Sequence, residues 1–233
     1  DPSSGAFCTV GGMISTNASG SHSLKYGATR NWVQALDCIF EDGTRATVRR
    51  SAPVPANVAA LERFQEIAGE LIAAETDSPS VHPGVRKDSS GYGLHAFADS
   101  RDVTDILIGS EGTLAIIVGI ELRLADAPRA TSSLLGCFPT LESAVTAAIR
   151  ARDAGAAACE LLDRTFLNVA ASESPLPNVP TDSEAVLLAE VEANTSDAAR
   201  AAARTLGDDF RASGATSVEL ALTPVEEERM WKL

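Results

Sequence analysis

The period of the apolar positions changes several times along the chain, and each change marks an element. Residues 33–40 and 44–49 read as two strands of a β-hairpin, because Asp42-Gly43 between them supplies the positive φ angles of a tight turn. After Pro53 and Pro55, the positions Leu61, Phe64, Ala68, Leu71 and Ile72 recur at three- and four-residue spacing and predict a helix over 57–75. Residues 76–101 lose that period, hold Pro79, Pro83 and three glycines, and predict a long loop without regular structure. "DILIGSEGTLAIIVGIELRL" then gives an apolar stretch, a Gly-x-x-Gly turn at Gly109 to Gly112, and a buried strand of nine or ten residues.

A domain boundary is expected in the Ala/Pro segment near 125–130, dividing the chain into 1–126 and 127–233. Strand-like residues 132–138 precede a helix over 140–152, with an apolar face at Leu141, Ala144, Val145, Ala148 and Ile149. Residues 156–162 are strand-like again, followed by a short helix from Arg164 and a Pro-rich loop over 174–181. A strand over 185–191, a helix over 196–212 closed by Gly214, and a strand over 216–222 complete a second strand-helix-strand unit. Two such units in succession predict a ferredoxin-like split βαβ layer with helices on one face, so the fold class is α+β. Thr223, Pro224 and Glu226 open one more helix as N-cap, first helical residue and partner in a capping box.

Composition narrows the function classes. With 233 residues, 45% of them apolar, the chain is long enough for one large or two small cores. Its net charge of −13 is spread along the sequence, with no basic stretch interleaved with aromatics, which argues against nucleic acid. No apolar run has the length of a membrane span, and no basic-then-apolar signal opens the chain, although a piece of a longer protein need not keep one. Cys8, Cys38, Cys137 and Cys159 are irregularly spaced, unlike CxxC metal pairs, and read as reduced thiols of a cytoplasmic protein. The chain starts at Asp1 directly before a glycine-rich segment and stops within its last helix, so it reads as part of a longer protein.

Two small-residue clusters carry the candidate chemistry. Gly11, Gly12 and Gly20, with Ser15, Thr16, Asn17 and Ser19 between them, present peptide N–H groups and hydroxyls without bulky side chains, which suits a diphosphate or ribose. "GSEGT" at 109–113 repeats that chemistry. Composition alone favours ordinary tight turns for both. Neither matches GxGxxG or a Walker loop.

"DPSSGAFCTVGGMISTNASGSHSLKYGATRNWVQALDCIFEDGT", "VRKDSSGYGLHAF" and "DILIGSEGTLAIIVGIELRL", in that order, resemble the second half of the PCMH-type FAD-binding domain of the vanillyl-alcohol-oxidase flavoproteins. Within that superfamily the match is to the D-lactate dehydrogenase and glycolate oxidase D-subunit branch. "CELLDRT" and the later strand-helix units are similar to the start of its C-terminal cap domain. The resemblance implies that Thr9, Gly11, Gly12, Thr16, Asn17, Ser19 and Gly20 line the adenosine diphosphate part of FAD. It implies that Glu111, Gly112, Thr113, Leu114, Ile116 and Ile117 approach from the other side, the last two mainly through backbone. Ala115 stands where many relatives have Gly.

The resemblance further implies oxidation of a D-2-hydroxy acid such as D-lactate or glycolate by hydride transfer to the flavin. An electron acceptor, such as an iron-sulfur domain of the same parent chain, is implied as partner, and the location is cytoplasmic or at the inner face of the membrane. In relatives a pyrophosphate loop precedes the matched region and the substrate and metal residues follow it, so this piece alone is expected to be inactive. A flavoenzyme acting on another alcohol or an alkylglycerone phosphate, and a non-catalytic binding module, are the alternatives. Among the remaining polar residues, His22, His82 and His95 read as solvated loop histidines before flavin contacts. Lys87 and Tyr92 are candidates to lie over flavin or substrate, Tyr92 equally a residue packing the loop. Asp163 and Arg164 are expected to cap a helix, and Glu226, Glu227 and Glu228 to favour a helix dipole rather than bind metal.

Overall fold

The computed structural model describes residues 4–77, 89–173, 175–176 and 178–232. His82, Lys87, Pro79 and Pro83 therefore lie outside the described residues, as do parts of the 76–101 and 174–181 loops. The chain divides into two compact units, Asp1–Gly20 with Gly27–Ala125, and Ser21–Tyr26 with Asp126–Leu233.

The first unit opens with α1 (Val10–Ser15), whereas the next helix in the chain, α2 (Ser23–Tyr26), belongs to the second unit. The predicted hairpin forms as β1 (Val33–Ile39) and β2 (Arg45–Arg49), antiparallel, with Gly43 at φ 83° and Asp42 Oδ1 accepting from Thr44 N at 2.8 Å. α3 (Ala59–Asp77) follows and buries Leu61 and part of Phe64. The 76–101 segment is not devoid of structure: α4 (Leu94–Ser100) lies within it, and Phe97 packs edge-on against Phe64 at 5.1 Å between centroids. The apolar run after it is a helix, α5 (Val103–Leu107), started by Asp102, whose Oδ1 accepts from Thr104 N at 2.9 Å. β3 (Ile116–Leu122) is shorter than expected and only half covered, with Ile116 63% exposed. It pairs antiparallel with β1 at the edge of a three-stranded sheet of order β2-β1-β3. Val33, Leu36, Cys38, Ile14 and Ile108 sit at the centre of this unit's core.

The second unit consists of β4 (Ala130–Phe138), α6 (Leu141–Asp153), β5 (Ala158–Asp163), α7 (Arg164–Glu173), β6 (Ala185–Ala193), α8 (Ser196–Ala212), β7 (Ser217–Ala221) and α9 (Pro224–Met230), besides α2. Its sheet is antiparallel throughout, in the order β5-β6-β4-β7, so β6 is inserted between β4 and β5 as a split βαβ topology requires. α6 and α8 cover one face through small side chains, Ala144, Ala147, Ala151, Ala199 and Ala203, which allow close approach to the strands. The face expected for α6 is therefore only partly right: Ala144 is buried, but Leu141, Val145 and Ile149 are exposed. Nor are the helices confined to one side, because Leu167 of α7 and Met230 of α9 pack on the opposite face with Leu135, Val186 and Leu188. Asp163 caps α7 by accepting from Phe166 N at 2.9 Å, while Arg164 instead donates to Thr181 O at 2.8 Å.

Two glycines separate packing from propensity. A Cβ on Gly136 would stand 2.6 Å from Phe210 Cδ2 and 3.0 Å from a ring carbon of Phe138, whereas one on Gly69, in α3, meets nothing within 4 Å. Gly136→Ala is expected to lower stability by about 2 kcal/mol, and Gly69→Ala to raise it by about 1 kcal/mol, both read from denaturant midpoints.

Candidate functional site

The opening small-residue segment is organised by short-range bonds. Thr9 caps α1, its Oγ1 accepting from Gly12 N at 3.0 Å, and Thr16 Oγ1 donates to Gly12 O at 3.0 Å. The helix cannot continue past Thr16 because Asn17 turns left-handed, at φ 46°. Asn17 is 3% exposed, and its Oδ1 accepts from Arg30 N at 3.1 Å.

The second segment is a chain of left-handed turns, with Gly109 at φ 85°, Glu111 at 52° and Gly112 at 78°. Its amides are directed at α1: Gly109 N donates to Ile14 O at 3.0 Å and Glu111 N to Ser15 O at 2.9 Å. The two clusters, nearly a hundred residues apart in the chain, thus form one continuous surface. Thr9, Gly12, Thr16, Glu111, Gly112, Thr113 and Leu114 are exposed on the unit, Gly11 and Ser19 are half-buried, and Gly20 is buried with Asn17. Of the two β3 residues, Ile116 is exposed and Ile117 packs on the core. Ala115 is buried in that same core, so its methyl faces protein.

Room for a ligand is visible at two positions, and one buried polar atom lacks a partner. A methyl added at Gly11 or Gly112 would meet no atom within 4 Å, and the Ser19 hydroxyl is buried without a hydrogen-bond partner among the described residues. A buried, unpaired hydroxyl costs stability unless something else pairs with it. The donor set fits a ribose-phosphate chain, although Gly109 N and Glu111 N are already engaged in joining the segments. Tyr92 is 45% exposed, and its OH shares a hydrogen bond with Thr113 Oγ1 at 2.8 Å. A cavity of about 100 Å³ lies beside it between Asn17, Arg30, Ser90 and His95. A larger one of about 590 Å³, in the second unit, is lined by Leu135, Phe166, Val169 and Leu176 and has no cluster of small residues around it. His95 is exposed and lies 3.7 Å from Asp99.

Beneath this surface is a charged network that sequence reasoning missed. The Asp105 side chain, 4% exposed, accepts from Arg30 Nη1 at 3.1 Å, from Arg50 Nη1 and Nη2 at 3.1 and 3.0 Å, and from Ser100 Oγ at 2.7 Å. Burial pushes its carboxyl upward, but the bonds from Arg50, Ser100 and Arg30 outweigh this and hold it below the usual carboxylate range. Arg30 also donates to Ile108 O at 3.0 Å, next to Gly109. The available signal was the one acidic residue inside "VTDILIG".

The second unit holds another missed cluster. His22 Nε2 lies 2.9 Å from Glu190 Oε1, while Glu192 Oε2 accepts from Tyr26 OH at 2.6 Å and from Lys25 Nζ. His22 is thus a half-buried, paired histidine rather than a solvated one. Its ring nitrogen and the two carboxylates lie within 4.8 Å of one another, a spacing also open to a metal ion. The Lys25 ammonium already neutralises Glu192 there. Glu227 is half-buried and accepts from Thr131 Oγ1 at 2.6 Å.

Comparison with known proteins bears on the whole chain. Residues 127–233 match the family model for FAD linked oxidases, C-terminal domain, and residues 1–49 match that for an FAD binding domain. The chain is 31% identical to a D-lactate dehydrogenase of Archaeoglobus fulgidus over 226 residues, 97% of this chain and 40% of that protein. It is 29% identical to the glycolate oxidase subunit GlcD of Escherichia coli K12 over 234 residues, 99% of this chain and 38% of that one. The solved structure of an alkyldihydroxyacetonephosphate synthase superposes with a TM-score of 0.61 at 18% identity, covering 100% of this chain and 39% of the other, a likeness of fold. The chain spans about two fifths of the length of these relatives. Among the described residues no helix is long and apolar enough to cross a membrane.

Asp105→Asn is expected to cost about 3 kcal/mol at pH 7 by leaving two arginines short of their counter-ion. Because the folded carboxyl titrates below its unfolded value near 3.9, its contribution is complete above that pH and is lost as pH falls through the lower folded value. Urea denaturation at pH 7 and pH 3 should show the variant losing less than the wild type between the two.

Proposed function

Since this chain belongs to the FAD-linked oxidases, we propose that the joined surface of α1 and the 109–114 turn is one side of the FAD cradle. The observation that carries this reading is the pair of backbone bonds from Gly109 and Glu111 to Ile14 and Ser15, which bring the two small-residue segments together. Thr9, Gly11, Gly12, Thr16, Asn17, Ser19 and Gly20 would hold the adenosine diphosphate portion, Ser19 through the hydroxyl that has no protein partner. Glu111, Gly112, Thr113 and Leu114, with the backbone at Ile116 and Ile117, would approach from the other side. Bound FAD would supply a two-electron acceptor that takes a hydride from the substrate. Asn17 keeps its backbone turn by accepting from Arg30, and Asp105 holds Arg30, so the cradle's shape is set by buried hydrogen bonds rather than by the ligand.

For the whole protein we propose oxidation of a D-2-hydroxy acid, D-lactate or glycolate, with the 127–233 region as the start of the domain that covers the substrate. The identity to D-lactate dehydrogenase and glycolate oxidase subunit GlcD over almost the whole chain favours this over an alkylglycerone phosphate, for which only a likeness of fold speaks. The electron acceptor is proposed to be a partner such as an iron-sulfur domain.

Gly11→Leu in the full-length protein should leave apoprotein stability unchanged or slightly higher, since it adds a good helix former in open space. The same change should weaken FAD binding at least about tenfold by filling the approach, roughly the cost of overpacking a site. Ser19→Ala should leave the apoprotein as stable or more so and weaken FAD by about fivefold, the scale of one hydrogen bond. Flavin fluorescence during titration reads both, and unchanged affinity in both variants would remove these residues from the site. Anaerobic bleaching of the flavin absorbance by D-lactate, glycolate and D-2-hydroxyglutarate in turn tests the substrate class.

A further inference from the structure

The second unit contains a segment borrowed from the other end of the sequence. Residues 21–26 leave the first unit after Gly20, return to it at Gly27, and in between belong to the second unit. The backbone bonds of this strap are local, with Leu24 N donating to Ser21 O, and Lys25 N and Tyr26 N to His22 O. Leu24 packs on the apolar cluster under α6 and α8, and three polar side chains reach the opposite partners on β6.

Those partners are unusual in their setting. Strand alternation places Leu188, Glu190 and Glu192 on one face of β6, where Leu135 and Val186 are core. Ser133 lies opposite Glu190 and Thr131 opposite Glu192, so the apolar face becomes polar at this end of the strands. The side chains of Glu190 and Glu192 are 11% and 6% exposed, too buried for their charge to rest on solvent alone. Lys25 and Tyr26 answer Glu192, and His22 answers Glu190, its ring stacked 6.5 Å from that of Trp231, which donates to Ser133 Oγ at 2.9 Å.

We propose that the strap at residues 21–26 is a pH-sensitive clasp, docked on the β6 carboxylates when His22 is protonated and loosened when it is neutral. The imidazolium is the countercharge Glu190 lacks elsewhere among its described partners, whereas Lys25 stays charged across the working range and gives a constant anchor at Glu192. The groups facing His22 and its partner are Glu190 and Glu192 of β6, Lys25 and Tyr26 of the strap, and Glu227 of α9 beside Glu190. Cys159, on β5 against which α2 packs, stays a neutral thiol because burial pushes it up to about 12. The bond to Glu190 raises the His22 value, with burial opposing and the charges of Glu190 and Glu192 assisting. A histidine raised in the folded state contributes in full below its unfolded value near 6.5, and the contribution is lost as pH rises through the folded value. Burial raises Glu227, but as a carboxyl it reports on the acid side of that window. The clasp does not depend on FAD or on the identity of the substrate.

Hydrogen exchange read by mass spectrometry on the full-length holoprotein tests it. Protection of peptides covering 21–26, corrected for intrinsic exchange and divided by that of β6, should fall by about fivefold from pH 5.5 to pH 8.5, the scale of a charge-assisted bond becoming a neutral one. In His22→Gln, which keeps a donor without the charge, and in Glu190→Gln, the ratio should stay level. A level ratio in the wild type, or an equal fall in His22→Gln, overturns the proposal. Should both variants fail to fold, the wild type still decides through imidazole NMR: His22 must titrate above the free imidazole value near 6.5, and titration at or below it overturns the clasp.

Discussion

Behind the surface proposed to face the cofactor, one buried carboxylate ties several segments of the first unit together. Asp105 lies in α5, just before the chain's second small-residue turn, and binds the side chains of Arg30 and Arg50, which come from the segments before β1 and after β2. Arg30 passes that constraint on in two directions, through its guanidinium to Ile108 O and through its backbone N–H to Asn17. The left-handed residue Asn17 and the 109–112 turn are therefore both tied to the same charge through Arg30. In a low-dielectric setting such a network is strong when complete and costly when one member is missing. The apolar core beneath, Ile14, Leu36 and Ile108 among others, sets where the segments lie; the carboxylate sets their orientation.

The glycines and hydroxyl residues do a different task from the simplest reading of them. Bare amides suggest anion binding, yet two of the best placed, Gly109 N and Glu111 N, bond to carbonyls of α1. What remains for a ligand is open space at Gly11 and Gly112 and the hydroxyl of Ser19. Small residues serve here first to let two backbones touch, and only then to let a third molecule approach.

Legibility of the fold followed the range of the forces involved. α8 spans 196–212 as its apolar period and closing glycine indicate, and the Asp-Gly hairpin forms because its turn chemistry is local. α4 and α5 were not legible, being too short for a period to show; a single Asp102 cap and burial against neighbouring elements decide them. The α6 face departs from its larger apolar residues because close helix-sheet packing selects alanine. The small-residue clusters of the site were visible, but their supports were not. Asp105 meets Arg30 across 75 positions and His22 meets Glu190 across 168, distances at which sequence pattern carries no information about pairing.

The split order of the second sheet carries a kinetic consequence. β4 and β5, although made first, never touch in the finished sheet; the gap between them is one strand wide and is filled by β6. As the chain emerges from a ribosome, β5 and one edge of β4 stay unpaired until residues 185–193 have followed, and the other edge of β4 until residues 217–221 have. The late strand is also the one bearing Glu190 and Glu192, so the partner awaited by His22 is synthesised long after the histidine itself. During that interval the open strand edges are templates on which another chain can pair.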